Sequence, residues 1–303
     1  MGIVVLDIGG TSIKYGIYEN GSMEHVSECD TEAWKGGAYL MQKAAGIIRS
    51  MGPCSGIGIS TAGQVDSLRG RIIYANENIP EYTGMEICSM LEQEFGVPVA
   101  VENDVNAAAL GEGYFGAAKG KPDFLCLTYG TGVGGAFVSG GEVYRGFSGS
   151  AGEFGSMIIH GRDVEQGRRI SGCYEYYAST KALVRQAREI APQIRNGRQV
   201  FENIDLPGVR AVVDEWIWEI AHGLVTLIHV FNPGCVILGG GVMAQEYVMD
   251  SVRTVVKERI MPSFRDVEII HASLGGWAGV WGAAYIAEKK QKVCAGRIAN
   301  KKE

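Results

Sequence analysis

Glycine and threonine cluster where an apolar, strand-like run ends, in residues 128–135 with the sequence TYGTGVGG. Because glycine has no Cβ, the backbone N–H groups of such a turn can point outward around an anion. The chemistry indicated is the binding of a phosphate group. A glycine-rich β-hairpin that binds nothing would explain the same residues, and this run alone leaves both interpretations open.

A second copy of the pattern lies near the start of the chain. An apolar run over 4–8 leads into Gly9-Gly10-Thr11 and then into a second strand over 14–18, which ends at turn residues. In the other copy the second strand covers 135–138 and also ends at turn residues, as hairpins do. Two similar hairpins roughly 120 residues apart predict a duplicated fold whose halves hold one nucleotide across a cleft.

The length, net charge and cysteine spacing of the chain limit the classes of function that it can have. The 303 residues are enough for two domains, and the net charge of −6 excludes a broad electrostatic attraction to nucleic acid or to an anionic membrane. Seven cysteines without paired spacing favour a reducing compartment, and with no secretory signal and no long apolar run we expect a cytoplasmic protein. With only three residues before Val4, we expect no DNA-reading module ahead of the first strand.

Strands alternate with helices on both sides of the glycine run at 128–135, which predicts α/β domains with largely parallel sheets. In the first half the expected elements are helix 34–51, strand 56–61, helix 85–95, strand 97–101 and a helix from 105. In the second half they are helix 174–188, a connection over 196–207, helix 212–230, strand 235–238, a helix to 259, strand 267–271 and a last helix from 279.

Several motifs follow one another in a fixed order: DIGGT at 7–11, ENDVNAA at 102–108, the run 127–135, AGEFG at 151–155, GCYE at 172–175 and GGG at 239–241. In this order and spacing the chain resembles the ROK family of bacterial sugar kinases and related repressors. The resemblance implies an α/β protein with the actin-like (ribonuclease H-like) ATPase fold, two domains closing over sugar and ATP. We expect a first domain over 1–117, joined by the C-terminal helix 281–303, and a second over 118–280.

Asp104 is the expected general base. It follows a strand and precedes a helix, where a carboxylate can take the proton of an attacking hydroxyl during phosphoryl transfer. An Asp in that place also caps helices, which a lone Asn-Asp pair does more often than it catalyses. The order of the motifs favours catalysis, because the catalytic Asp of the family falls on Asp104.

The resemblance also assigns the sugar contacts. Asn103 can both donate and accept hydrogen bonds, which suits vicinal hydroxyls, although an ordinary turn explains it as well. Glu153 lies in a glycine-flanked loop, and Glu175 stands at a helix start where the helix dipole is a sufficient explanation. Both positions match sugar-binding glutamates of the family, and Ala62 and Gly63 match its sugar loop with less force.

For the nucleotide, the resemblance implies ATP and Mg²⁺. Asp7 closes an apolar strand, where a carboxylate suits a water-mediated Mg²⁺ or simply caps the turn. Lys14 either reaches phosphate or faces water. The remaining residues are assigned to the transferred phosphate (Gly9, Gly10, Thr11), to the β- and γ-phosphates (Thr131, Gly132, Gly134) and to the adenosine side (Gly240, Gly241).

Many ROK proteins carry a structural zinc held by one His and three Cys, the His three residues after the loop glutamate. Ser156 stands at that position, and the Cys-rich stretch is replaced by residues 162–171. His160 and Cys173 remain, two ligands where a closed site needs four. We therefore expect no zinc, and a sugar contact at Ser156 that is absent or made differently.

The leading hypothesis is an ATP-dependent hexose kinase that phosphorylates a sugar hydroxyl, most often O6. Zinc-free members of the family resemble N-acetylmannosamine kinases and β-glucoside kinases, and residues 74–84 resemble the loop of that subgroup, so N-acetylmannosamine, a β-glucoside and glucose all stay candidates. A homodimer is expected. The alternatives are a sugar-sensing ROK regulator without its DNA-binding domain and a non-sugar actin-like ATPase.

Overall fold

The computed structural model describes residues 1–162 and 170–299, with side chains as far as residue 295. The strands are β1 Ile3–Ile8, β2 Ser12–Glu19, β3 Ser22–Asp30, β4 Gly56–Thr61, β5 Gln64–Asp66, β6 Arg71–Tyr74, β7 Val99–Asn103, β8 Phe124–Tyr129, β9 Val133–Ser139, β10 Glu142–Val143, β11 Cys235–Gly239 and β12 Glu268–His271. The helices are α1 Gly37–Ser50, α2 Ile87–Phe95, α3 Asp104–Tyr114, α4 Tyr174–Ala178, α5 Thr180–Ile190, α6 Gly197–Glu202, α7 Pro207–Phe231, α8 Glu246–Arg259 and α9 Ala278–Ala299.

These elements form two compact units. Among the described residues, unit 1 comprises 1–119, 145–151 and 276–299, and unit 2 comprises 120–144, 152–162 and 170–275. The sequence placed residues 145–151 in the second domain, whereas they belong to unit 1. Helix α9 lies in unit 1 together with residues 1–119. The resemblance likewise joined the last helix to the first domain.

The sheet of unit 1 has the strand order β3-β2-β1-β4-β7. Strands β1 and β2 form the expected antiparallel hairpin, with Ile8 opposite Ile13, and β4 and β7 continue the sheet in parallel. Every residue of β4 is buried, as expected for a central parallel strand covered on both faces. Parallel strands present their carboxyl ends at the same edge, which brings the ends of β1, β4 and β7 together.

The sheet of unit 2 has the order β10-β9-β8-β11-β12, which repeats unit 1 strand for strand. Strands β8 and β9 pair antiparallel, and β11 and β12 pair in parallel. The predicted duplication is therefore confirmed at the level of topology.

Each unit has its own core. In unit 2, helix α7 buries its apolar stripe against the sheet, and Trp216 on that stripe is fully buried with its indole N–H donating to the carbonyl of Ala178 at 2.9 Å. In unit 1, small residues of α9, among them Ala283 and Ala284, pack on β1. No helix in the described part of the chain combines the length and apolarity needed to cross a membrane.

Candidate active site

Asn103 and Asp104 lie where β7 ends and α3 begins. The side chain of Asn103 is the N-cap of α3, since its Oδ1 accepts from the N–H groups of Val105 at 3.0 Å and Asn106 at 3.1 Å. Helix capping, the alternative explanation for Asp104, is thus performed by Asn103. The Oδ1 of Asp104 accepts from Val105 N at 2.9 Å and from Asn103 Nδ2 at 2.8 Å, which fixes the carboxylate.

The environment of Asp104 raises its pKa to about 6. The main cause is desolvation, and the second is the charge of Asp7; the hydrogen bonds from Val105 and Asn103 act in the opposite direction. Burial also raises the pKa of Asp7, against hydrogen bonding from Ser60 and the charge of Lys14. A carboxylate with a pKa near 6 is suited to accept a proton near neutral pH.

Two other segments of unit 1 enclose the Asp7 carboxylate. Ser60 on the neighbouring strand β4 donates its Oγ–H to Asp7 Oδ1 at 2.6 Å. The first turn of α9 lies against the same carboxylate, because a Cβ added to Gly279 would stand 2.6 Å from Asp7 Cγ. A carboxylate held there can act through bound water on a hard cation, so the donor set fits Mg²⁺ without requiring it.

Gly63 lies beside Asn103. The Nδ2 of Asn103 donates to the Gly63 carbonyl at 2.9 Å, and Gly63 has a φ of +100°, which favours glycine. Ala62 links this loop to the first hairpin, because its N–H donates to the Ile8 carbonyl at 3.1 Å. In unit 1 the structure therefore brings Asp7, Ala62, Gly63, Asn103 and Asp104 to one edge of the sheet.

The hairpin turn of unit 1 is held from behind by Thr31, which is fully buried. Its hydroxyl donates to the Gly9 carbonyl at 2.7 Å, and its N–H donates to the Thr11 carbonyl at 2.8 Å. Gly10 and Thr11 are exposed at the tip of the turn, and a Cβ on Gly10 would meet nothing within 4 Å. The turn is a fixed, open backbone surface of the kind that accepts an anion.

Lys14 makes a contact that the sequence could not indicate. Its Nζ donates to the Gly276 carbonyl at 2.8 Å, just before α9 begins. The amine thus ties the first hairpin to the last segment of the chain, and contact with a phosphate stays a prediction.

The corresponding turn of unit 2 carries Thr131 and Gly132 between β8 and β9. Gly130 N donates to the Gly132 carbonyl at 3.0 Å, and Lys181 N at the start of α5 donates to the Gly130 carbonyl at 3.2 Å. A Cβ on Gly132 would stand 2.6 Å from Glu175 Oε2. The predicted phosphate residue Gly132 and the predicted sugar residue Glu175 are therefore adjacent within unit 2. Gly134 is the second residue of β9.

Glu153 precedes a short 3₁₀ turn over Phe154–Ser156, and Ser156 is the last residue of that turn. Both residues are exposed, and Ser156 N donates to the Glu153 carbonyl at 3.1 Å. The turn packs tightly on the second hairpin, because a Cβ on Gly155 would lie 2.3 Å from the Val133 carbonyl oxygen and 3.3 Å from Glu175 Cβ. Glu153, Ser156 and Glu175 thus belong to one cluster of elements beside the hairpin.

A cavity of about 1090 Å³ opens next to this hairpin, entirely within unit 2. Gly130, Thr131 and Gly241 line one part of it, and the remainder is formed by α5, the residues after it and the start of α6. Gly240 has a φ of +116°, and a Cβ there would collide with the Tyr129 carbonyl at 2.3 Å, which keeps β8 and β11 close at their ends. The size suits a nucleotide-sized ligand.

The structure adds residues of α5 that sequence reasoning missed. Thr180 donates its hydroxyl to the Tyr129 carbonyl at 2.9 Å, and Lys181, Val184, Arg185 and Arg188 line the cavity. The available signal was the strong division of 180–190 into an apolar and a basic face.

The expected zinc region is only partly described, since residues 163–169 lie outside the described ranges. His160 Nε2 lies 2.9 Å from Glu219 Oε2, and Cys173 is buried. Within 1–162 and 170–299, no three His, Cys, Asp or Glu side chains are grouped as a metal would require. The absence of zinc stays a prediction.

Two sheets of identical strand order, each with a glycine- and threonine-rich hairpin, define the actin-like ATPase fold. A structure of a ROK family glucokinase from Streptomyces griseus, in complex with glucose and AMPPNP, matches with a TM-score of 0.82 and 30% identity over 95% of this chain and 100% of that chain.

The ROK family model matches residues 3–290, and the chain belongs to that family. An uncharacterized protein of Clostridium perfringens is 40% identical over 295 residues, 93% of this chain and 96% of that protein. A β-glucoside kinase of Listeria monocytogenes is 32% identical over 295 residues, 94% of this chain and 97% of that kinase.

Proposed function

We propose that this enzyme, an ATP-dependent sugar kinase, transfers the γ-phosphoryl group of ATP to O6 of a hexose with Asp104 as general base. The observation that carries the proposal is the fixed Asp104 carboxylate at the start of α3, whose pKa of about 6 matches proton transfer near neutral pH. The glucose-bound glucokinase and the β-glucoside kinase among the relatives support glucose or a β-glucoside as the acceptor, and N-acetylmannosamine is the third candidate.

Sugar binding is assigned to residues of both units. In unit 1, Asn103 and the Ala62–Gly63 loop, whose Gly63 carbonyl accepts from Asn103 Nδ2 at 2.9 Å, are assigned to sugar hydroxyls. In unit 2, Glu153 and Glu175 accept hydrogen bonds from the sugar, and the exposed hydroxyl of Ser156 makes the contact that a zinc-bound histidine makes in other members.

The nucleotide is assigned to the two hairpins and the cavity. Gly9, Gly10 and Thr11 contact the transferred phosphoryl group, Thr131, Gly132 and Gly134 hold the β- and γ-phosphates, and Gly240 and Gly241 lie on the adenosine side. Lys14 is also assigned to a phosphate contact, and Asp7 is assigned to hold Mg²⁺ through water. When bound, Mg²⁺ neutralises charge that develops on the phosphate oxygens.

The test is a coupled assay of ADP release over glucose, β-glucosides, N-acetylmannosamine, N-acetylglucosamine, mannose and fructose, with product analysis for O6. Asp104→Asn should lower kcat by roughly 10²–10⁴-fold, because the amide cannot accept the proton, and should leave sugar binding by calorimetry nearly unchanged. The matched control is Asp250→Asn, an exposed carboxylate on α8 paired with Arg253, which should leave kcat unchanged.

Other outcomes separate the alternatives. ATP turnover that ignores every sugar would point to a non-sugar ATPase, and tight sequence-dependent retention of DNA would point to a regulator. Metal analysis that finds about one zinc per chain would contradict the zinc prediction. A homodimer is the oligomeric state that we expect from light scattering of the purified protein, which we propose to be cytoplasmic.

A further inference from the structure

Two tyrosine hydroxyls meet inside the core of unit 2. Tyr129 is 1% exposed and Tyr174 is fully buried, and their hydroxyl oxygens lie 2.7 Å apart. The two rings are in edge-to-face contact, with centroids 6.3 Å apart, and both belong to the apolar cluster of this unit. A buried hydroxyl destabilises the fold unless it is hydrogen-bonded, whereas phenylalanine would fill the same space without that requirement.

A second hydrogen bond fixes the direction of the first. The Tyr174 hydroxyl donates to the Ile220 carbonyl of α7 at 2.8 Å. Because a hydroxyl has only one proton to donate, the bond between the two hydroxyls must be donated by Tyr129 and accepted by Tyr174. Donation therefore runs one way, from Tyr129 through Tyr174 to Ile220, and every proton of the chain has an acceptor.

The two phenols keep their protons. Burial raises the pKa of both Tyr129 and Tyr174 above the ordinary value of tyrosine. Neither hydroxyl is open to solvent, and neither can release its proton near neutral pH. The pair is therefore suited to hold groups in place and not to transfer protons.

Each tyrosine directly precedes a residue or turn that the proposed function assigns to a substrate. Tyr129 is the last residue of β8, and the phosphate turn that carries Thr131 and Gly132 follows it. Tyr174 is the first residue of α4, and Glu175 follows it. The hydroxyl pair thus joins the base of the phosphate turn to the start of the helix that carries the predicted sugar carboxylate.

Other contacts restrain both tyrosines. The Tyr129 carbonyl accepts from the Thr180 hydroxyl at 2.9 Å, and Tyr174 N donates to the Met157 carbonyl at 2.7 Å. A Cβ on Gly223 would lie 2.2 Å from Tyr174 Cζ, so the backbone of α7 packs directly on this ring. In such close packing a change at the hydroxyl pair is passed on to the two backbone segments.

The same two segments are also in contact where the substrates are expected. A Cβ on Gly132 would stand only 2.6 Å from Glu175 Oε2, so the carboxylate lies against the backbone of the phosphate turn. A shift of about 1 Å between these groups is enough to lower a reaction rate by orders of magnitude. The arrangement therefore needs a fixed distance between the turn and α4, and the buried hydroxyl pair supplies one.

We propose that Tyr129 and Tyr174 are positioning residues, whose hydroxyl pair holds the Glu175 carboxylate in place beside the phosphate turn and so orients the sugar for phosphoryl transfer. The proposal rests on the proposed function, which assigns Glu175 to the sugar and the turn to ATP. The turn has a further support in the bond from Thr180, so loss of the pair should affect the sugar more than ATP.

The experiment compares steady-state kinetics and melting temperature of full-length variants with ATP, Mg²⁺ and the best sugar. Tyr129→Phe removes the link but leaves Tyr174 bonded to Ile220. Its melting temperature should therefore fall only slightly, whereas kcat/KM for the sugar should fall about tenfold and the KM for ATP should change less than about twofold. The control is Val252→Ala, which removes buried methyl groups of α8 from the same core. It should lower the melting temperature more than Tyr129→Phe and leave the kinetics unchanged.

The direction of the hydrogen bonds gives a second test. Tyr174→Phe leaves the Tyr129 hydroxyl buried without its acceptor, so it should lower the melting temperature more than Tyr129→Phe does. The double variant Tyr129→Phe/Tyr174→Phe should recover part of that stability, because no unsatisfied hydroxyl remains. It should not recover kcat/KM for the sugar, because the link is still absent.

The outcomes distinguish this proposal from the function on which it rests. A Tyr129→Phe enzyme with the parent's kcat/KM for the sugar overturns the positioning role alone. Kinetic losses that follow melting temperature through all the variants, Val252→Ala included, overturn it as well, because they would show a merely structural role. A parent enzyme that phosphorylates no sugar with ATP would instead refute the proposed function.

Discussion

The residue that we propose as the general base is Asp104, and its pKa depends on a second carboxylate. Burial raises the pKa of Asp104 to about 6, and the charge of Asp7 contributes to the increase. Since only the carboxylate form accepts a proton, activity should be complete well above pH 6 and should be lost as pH falls through that value.

This gives a prediction for the pH profile. We expect kcat/KM to decrease about tenfold per pH unit below about pH 6, measured with a coupled assay whose auxiliary enzyme is in excess. Asp7→Asn should lower the overall rate and also shift this acidic limb to lower pH, because it removes a like charge. An acidic limb that stays at the same pH in Asp7→Asn would contradict the coupling between the two carboxylates.

Some of these residues could be found from sequence and others could not. Asn103 and Asp104 stand out because a strand end, a polar pair and a helix start coincide. The contact between Lys14 and Gly276 joins positions 262 apart in the chain, and no local pattern encodes it. That Asn103 rather than Asp104 caps α3 likewise appears only when hydrogen-bond geometry is known.

At the scale of elements, the segment 145–151 is attached to unit 1 by an ion pair behind the site. Glu102, 1% exposed, accepts from Arg145 Nη2 at 2.6 Å and from Arg145 Nε at 3.2 Å, while its other oxygen accepts from Asn103 N at 3.0 Å. The pair thus connects the segment to the strand end that carries Asn103 and Asp104.

Breaking this pair should destabilise the protein. Arg145→Met leaves a buried Glu102 carboxylate without its main partner, and we expect a loss of about 2 kcal/mol, below the range for fully buried pairs because the arginine is partly exposed. The double variant Glu102→Gln/Arg145→Met should recover part of the loss, since no buried charge remains. Urea denaturation of the single and double variants measures both; equal stability of Arg145→Met and the parent would contradict the role of the pair.

Secondary structure was predicted best where apolar periodicity is strong. The helix expected over 174–188 is interrupted at Ser179, whose Oγ accepts from Ala182 N and caps α5, although no glycine or proline marks the break. The connection expected over 196–207 contains α6, which Asn196 caps. Strand β3 was missed because it is a largely exposed edge strand without apolar alternation.

At the scale of the whole molecule, unit 1 is completed only by the last part of the chain. Helix α9 packs with its backbone directly against α3 and β4: a Cβ on Gly282 would lie 1.8 Å from the Ala107 carbonyl oxygen, and one on Gly58 would lie 2.1 Å from the Ala283 carbonyl oxygen. Sequence alone showed the helix and the family pattern placed it with the first domain. The closeness of the packing depends on glycines whose partners are far away in the chain.

Gly282→Ala tests whether this close packing holds unit 1 together. The added methyl must push α9 away from α3, and we expect a destabilisation of at least about 1–3 kcal/mol in urea denaturation, with a lower melting temperature. The matched control is Gly46→Ala in α1, where a Cβ meets nothing within 4 Å and the loss of backbone freedom in the unfolded chain should stabilise by about 0.5–1 kcal/mol. Because α9 begins against Asp7 and Lys14, Gly282→Ala should also raise the KM for ATP, whereas Gly46→Ala should not. A Gly282→Ala protein as stable as Gly46→Ala would show that α9 can shift without cost, and the last helix would then not be what fixes the Asp7 edge of the sheet.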